Sequence, residues 1–185
     1  DVCNIDPTYT VGEMARRRQM IIKQLTDEGV IDLNKELPFP LLPQRIAVIS
    51  SPTAAGYGDF CDQLLGNRYG FVFYPHLFPS PMQGNGVEQG IIAALDRIAA
   101  DIDMWDVVII IRGGGATSEL SCFDTYDLAN NCAQFPLPII TGIGHQRDES
   151  VLDIVAHTRA KTPTAAAELL IHAMLEQGTF VGNIM

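Results

Sequence analysis

A chain of 185 residues, 47% of them apolar, can bury a substantial core, so neither a disordered tail nor a fibrous sequence fits it. Twelve Lys and Arg against 22 Asp and Glu leave a net charge of −10, which excludes a broad cationic surface and by itself favours a small-molecule enzyme over a nucleic-acid partner. Four cysteines (Cys3, Cys61, Cys122, Cys132) without C-x-x-C spacing argue against structural zinc and a disulfide framework, and fit a reducing cytoplasm.

In chain order, the opening DVCNIDPTYT lacks the basic-then-apolar pattern of a secretion signal, and no apolar run approaches the ~18 residues that span a membrane. From about Gly12 to Glu28 the pattern predicts a helix, with Met14, Ile21, Ile22 and Leu25 on one face and Gly29 at the C-terminal cap. Its Arg16-Arg17-Arg18 run reads first as a solvated face and second as a contact for nucleic acid. LPFPLLPQ (37–44) holds three prolines, which remove donors and fix φ, so it reads as an extended linker ahead of a new domain. RIAVIS (45–50) is a β-branched apolar run expected of a strand buried on both faces, followed by a helix to about Leu65. A second strand is expected over 70–78, and a helix over about Val87–Ala100 that buries Val87, Ile91, Leu95 and Ile98. DVVIII (106–111) is the third strand, 118–134 a helix, and LPIITGIG (137–144) the fourth strand. Helices over about 149–158, carrying His157, and 163–176 close the chain, the last with Thr162 as N-cap and Pro163 at the first helical position.

Strands alternating with helices predict an α/β fold: an open, mostly parallel sheet of at least four strands with helices on both faces, a Rossmann-like three-layer arrangement. Ligands of such sheets bind beyond the carboxyl ends of the strands. Those ends carry Ser51 to Asp59, Arg112-Gly113-Gly114-Gly115, Gly144 to Asp148, and beyond them Asp153, Arg159 and Thr162-Pro163-Thr164. Three glycines behind a buried strand let backbone amides approach a bulky anion, although a glycine run alone is equally a tight turn. Arg112 at the same mouth tips that balance, because a planar guanidinium suits a pair of phosphodiester oxygens. His145 has Asp148 three residues on, a carboxylate within reach to fix its tautomer as proton transfer requires. Asp59 and Asp153 could join the same pocket, though each alone is more ordinarily a cap or a surface pair. No P-loop, G-x-G-x-x-G or G-x-S-x-G pattern occurs.

Taken as an ordered set, SPTAAGYGD (51–59), RGGG-x-x-S-E-L-x-x-FD (112–124), GIGHQRD (142–148) and RAKTPTAAAE (159–168) resemble the signature blocks of the exodeoxyribonuclease VII large-subunit family. LNKELPFPLLPQRIAVISSPT before them resembles the entrance to that family's catalytic domain. Gln146, Arg147, Ala116 and His157 depart from the family's frequent Glu, Thr, Ser and Asp, without removing a proposed catalytic group. The resemblance implies an exonuclease that degrades single-stranded DNA to oligonucleotides and shorter products with 5′-phosphates, with Asp59, Arg112, His145 and Asp148 catalytic. Ser51, Thr53, Gly113, Gly114, Gly115, Arg159 and Thr162 are then expected to bind substrate. It implies a helical linker over 1–44 following an OB-fold outside this chain, a catalytic domain over 45–171, and the start of a C-terminal helical region over 172–185. Small subunits are the expected protein partners, a membrane is not, and the basic groove for DNA is expected in the OB-fold. Asp148 or Asp59 would orient His145, which either activates water or protonates the departing 3′-oxygen. No cofactor is expected to be required, with a weakly held Mg²⁺ at Asp59, Asp148 or Asp153 left open. The alternative is a small-molecule enzyme that binds a nucleotide or sugar phosphate at the same glycine-rich mouth.

Overall fold

The computed structural model describes residues 11–52, 55–84, 86–112, 122–143 and 150–184. Among them, β1 (Arg45–Ser50), β2 (Tyr74–Pro79), β3 (Val107–Ile111), β4 (Ile139–Gly142) and β5 (Thr158–Arg159) form one sheet in the order β2-β1-β3-β4-β5. Every pairing is parallel, with Val48 opposite Ile109, Ile111 opposite Gly142 and Thr141 opposite Arg159. The expected three-layer α/β fold is therefore the observed one.

The β-branched runs explain the layers. Alternate side chains of a strand face opposite ways, so a strand buried on both faces must be apolar throughout. Ala47, Ile49, Val108 and Ile110 face a core built with α1 (Val11–Asp27), α3 (Val87–Ala100), α4 (Tyr126–Ala133) and α5 (Val151–Val155). Ile46, Val48, Val107, Ile109 and Ile111 face a second core closed by α2 (Ala55–Leu65) and α6 (Pro163–Ile184). Helix α3 buries the four predicted residues and Ala94 besides.

Several boundaries differ from the sequence reading. The second strand begins at Tyr74, because Asn67 exchanges hydrogen bonds with Phe71 (3.0 and 2.9 Å) and holds 67–71 in a turn. It is an edge strand, where Pro75 and Pro79 are tolerated. The helix expected over 118–134 starts only at Tyr126, since Thr125 is extended (φ −122°, ψ 147°); residues 118–121 lie outside the described set. Helix α5 ends at Val155, and Thr158 and Arg159 leave it to pair with β4. His157 consequently lies in a bend: its Nε2 is 3.0 Å from the Leu37 carbonyl and its Nδ1 2.8 Å from the Thr158 hydroxyl.

The segment before β1 is fastened to the α/β unit. Ile21 and Leu25 of α1 enter the first core, and Gly29 follows with φ 75°. Buried Asn34 accepts from the Ile139 amide (2.9 Å) and donates to the Phe135 and Leu137 carbonyls. Arg18, read as solvent-facing or nucleic-acid-facing, instead pairs with buried Asp124 at 3.3 Å. Cys122 is disulfide-bonded, against the expectation from spacing, which cannot report what the fold brings together; Cys61 and Cys132 are free.

Candidate active site at the carboxyl ends of the strands

The sheet order makes the carboxyl ends of β1, β3, β4 and β5 successive neighbours, about 4.8 Å apart from strand to strand. Ser51, Arg112, the segment beyond Ile143 and the turn 160–162 thus leave the sheet side by side. Two hydrogen bonds lock this rim: the Ser50 hydroxyl donates to the Ile111 carbonyl (2.9 Å), and the Arg112 amide to the Gly142 carbonyl (3.0 Å). Arg112 is only 5% exposed, so its charge is withdrawn from bulk solvent at the mouth of the sheet. In so dry a setting a guanidinium acts on a nearby anion far more strongly than in water.

Around it stand the other residues that the sequence pointed to. Ser51 is half-buried at the end of β1, and Asp59 is exposed just past the first turn of α2. Arg159 is half-buried at the end of β5, its Nε 3.8 Å from Asp153. Thr162 is exposed and accepts the Ala165 amide (3.1 Å), the capping contact expected of it. Thr53, Gly113, Gly114, Gly115, His145 and Asp148 lie outside the described residues.

Asp153 is a frame carboxylate. Thr141 donates to its Oδ1 (2.7 Å), while the Ser150 amide and hydroxyl both reach its Oδ2 (3.0 Å). With the Ser150 hydroxyl accepting the Asp153 amide, the two form a capping box at the start of α5. Both oxygens are thereby engaged, which does not fit Mg²⁺ coordination through Asp153. Among the described residues, no three His, Cys, Asp or Glu side chains gather to hold a metal ion.

Asp124 is the second frame carboxylate, and the sequence reading assigned it no role. Its Oδ1 accepts the Val151 amide (2.7 Å) and its Oδ2 faces Arg18. Burial pushes its carboxyl pKa up, and the Val151 amide and the Arg18 guanidinium pull in the opposite direction. Its signals were the FD ending of the block after β3 and the basic run of α1, neither informative until folding joins residues 106 apart.

Two backbone features shape the turn from β5 into α6. Lys161 takes φ 76°, a left-handed conformation that costs an L-residue about 1 kcal/mol or more. Gly142 is packed so tightly that a Cβ would lie 2.8 Å from the Thr162 carbonyl oxygen and 3.0 Å from Ile111. Beside the site, burial pushes the Tyr57 phenol up to about 12, so it stays protonated at neutral pH. A cavity of about 730 Å³ between the end of α2 and α6, bordered by Asn67, Tyr69, Glu168 and His172, opens toward the opposite end of the sheet.

A family model described as exonuclease VII, large subunit, matches residues 30–182. The chain belongs to the exonuclease VII large-subunit family. It is 41% identical over 167 residues to a protein of Nostoc sp. named exodeoxyribonuclease 7 large subunit, covering 90% of this chain and 40% of that protein. Proteins with the same name are similar to it in Cyanothece sp. (40% identical, 89% and 38% covered) and Deinococcus radiodurans (36% identical, 95% and 42% covered). The chain thus spans about two-fifths of the length of these exonuclease VII relatives.

Proposed function

We propose that this chain carries the hydrolytic centre of an exonuclease that degrades single-stranded DNA to oligonucleotides and shorter products with 5′-phosphates. It would act as the large subunit beside small subunits, in the cytoplasm. The observation that carries this reading is the buried guanidinium of Arg112 at the mouth of the sheet in a member of the exonuclease VII large-subunit family. A phosphodiester held there gains charge on its non-bridging oxygens as water attacks, and Arg112 with the amides of Gly113, Gly114 and Gly115 would stabilise that charge. His145, oriented by Asp148 or Asp59, would either take the proton of the attacking water or protonate the departing 3′-oxygen. Ser51, Thr53, Arg159 and Thr162 would hold the strand along the rim. The reaction would need no tightly held metal, and any weakly bound Mg²⁺ would rest on Asp59 or Asp148, since Asp153 is already engaged.

The decisive variants are Arg112→Ala, His145→Ala and Asp148→Ala, assayed in the full-length large subunit assembled with its small subunits. Each is expected to slow cleavage of single-stranded DNA about 10²–10⁴-fold with little change in melting temperature. Wild-type cleavage should persist in excess chelator. Near-normal rates in His145→Ala would overturn the acid–base assignment, and a complete, Mg²⁺-reversible loss in chelator would overturn the metal-independent one. The net charge of −10 favours a second reading, a small-molecule site for a nucleotide or sugar phosphate. Thermal stabilisation by such compounds, and none by short single-stranded DNA in the assembled enzyme, would support it.

A further inference from the structure

Two loops leave the sheet where the chemistry is proposed: one runs from Arg112 to Asp124, the other from Gly142 to Val151. Their roots are joined twice. At the upstream end the Arg112 amide donates to the Gly142 carbonyl (3.0 Å), and at the downstream end the Val151 amide donates to Asp124 Oδ1 (2.7 Å). The first link is ordinary sheet pairing, but the second depends on one side chain. Asp124 is 3% exposed, and its other oxygen faces Arg18 of α1, from a segment that precedes the sheet. Burying a carboxylate is costly without close partners, and Asn in its place could still accept the Val151 amide. What Asn could not do is hold Arg18 by charge.

We propose that Asp124 is a positioning residue of the active site: it fixes the two rim loops relative to each other and, through Arg18, ties their geometry to the seating of α1. Helix α1 has other anchors, since Ile21 and Leu25 are in the core and Glu28 accepts the Tyr126 hydroxyl (2.6 Å). The Arg18–Asp124 pair is therefore not needed to dock the helix, which leaves alignment of the loops as its contribution. Alignment matters because the proposed groups are shared between them: Gly113 to Gly115 stand on one loop, His145 and Asp148 on the other. A displacement of about 1 Å between reacting groups can cost 10²-fold in rate.

This inference rests on the proposed nuclease site, and the test separates the two. Asp124→Asn, Arg18→Met and the double variant are made in the full-length enzyme with its small subunits, beside Arg112→Ala. Both single variants are expected to lower kcat on single-stranded DNA by about tenfold or more, with KM within about threefold and melting temperature little changed. The double variant should be no slower than the worse single one, because both break the same link. Wild-type kcat in both single variants would overturn the proposal. So would additive losses, or a raised, salt-dependent KM in Arg18→Met alone, which would place Arg18 on the DNA instead. If Asp124→Asn does not fold, Arg18→Met alone decides the outcome. A wild-type rate in Arg112→Ala would mean that the site itself lies elsewhere, a distinct failure from that of Asp124.

Discussion

Asp124 carries opposing influences, and their balance gives a stability prediction. Burial outweighs the Val151 amide and Arg18, so its pKa is raised in the folded protein. A carboxyl group shifted that way contributes stability that is complete below its unfolded pKa and is lost as pH rises through its folded value. At neutral pH the ionised side chain is thus a net cost, held for what it orders. Asp124→Asn is expected to melt at or slightly above the wild-type temperature at pH 7, with the difference vanishing in acid once the wild-type carboxyl is protonated. A calorimetric pH series checks this, and a variant several degrees less stable at pH 7 would refute it. His157 shows the converse of such foresight: its sequence position suggested a helix face, yet it ties the Leu37 carbonyl to the bend after α5.

At the level of elements, what was legible in the sequence follows from burial. β1 and β3 announce themselves because both faces are covered, so each is a continuous β-branched run. β5 is two residues long and half-buried, too short for any periodicity, and it exists because the Ala160 amide finds the Thr141 carbonyl (2.7 Å). The rim of the site could be placed from strand ends alone, which located Arg112, Ser51 and Arg159. The frame that holds it could not, since Asp124, Arg18 and Asn34 act over about a hundred residues of chain and leave no local pattern. Gly142 is a test at this scale, as the glycine of a strand that meets the start of another element. Gly142→Ala would drive a methyl group into the Thr162 carbonyl and Ile111, forcing β4 and the start of α6 apart. A loss of about 1–3 kcal/mol is expected in chemical denaturation, with a drop in cleavage exceeding what the unfolded fraction explains. Unchanged stability would mean that the turn 160–162 yields freely.

For the whole molecule, charge decides how DNA can be held. Net −10 repels a polyanion, and the cations around the site are few, with Arg18 and Arg159 each already facing a carboxylate. The 185-residue chain by itself is therefore expected to bind labelled oligo-dT weakly even at low salt, where phosphate contacts are strongest. Fluorescence anisotropy measures this, and sub-micromolar binding would locate a DNA surface within the chain that its charge does not suggest. The order β2-β1-β3-β4-β5 also has a consequence for how the chain comes into being. β1 is made first among the strands yet finishes near the middle of the sheet, with β2 on one side and β3 on the other. During synthesis its second edge must wait through β2 and α3 before Val107–Ile111 emerges to cover it. An apolar strand with an unpaired edge is an invitation to stick to other chains, and non-local parallel pairing is slow. A nascent chain halted before β3 would hold Ile46, Val48 and Ile49 beside an unfilled place in the sheet, so this is the interval in which a chaperone has most to protect.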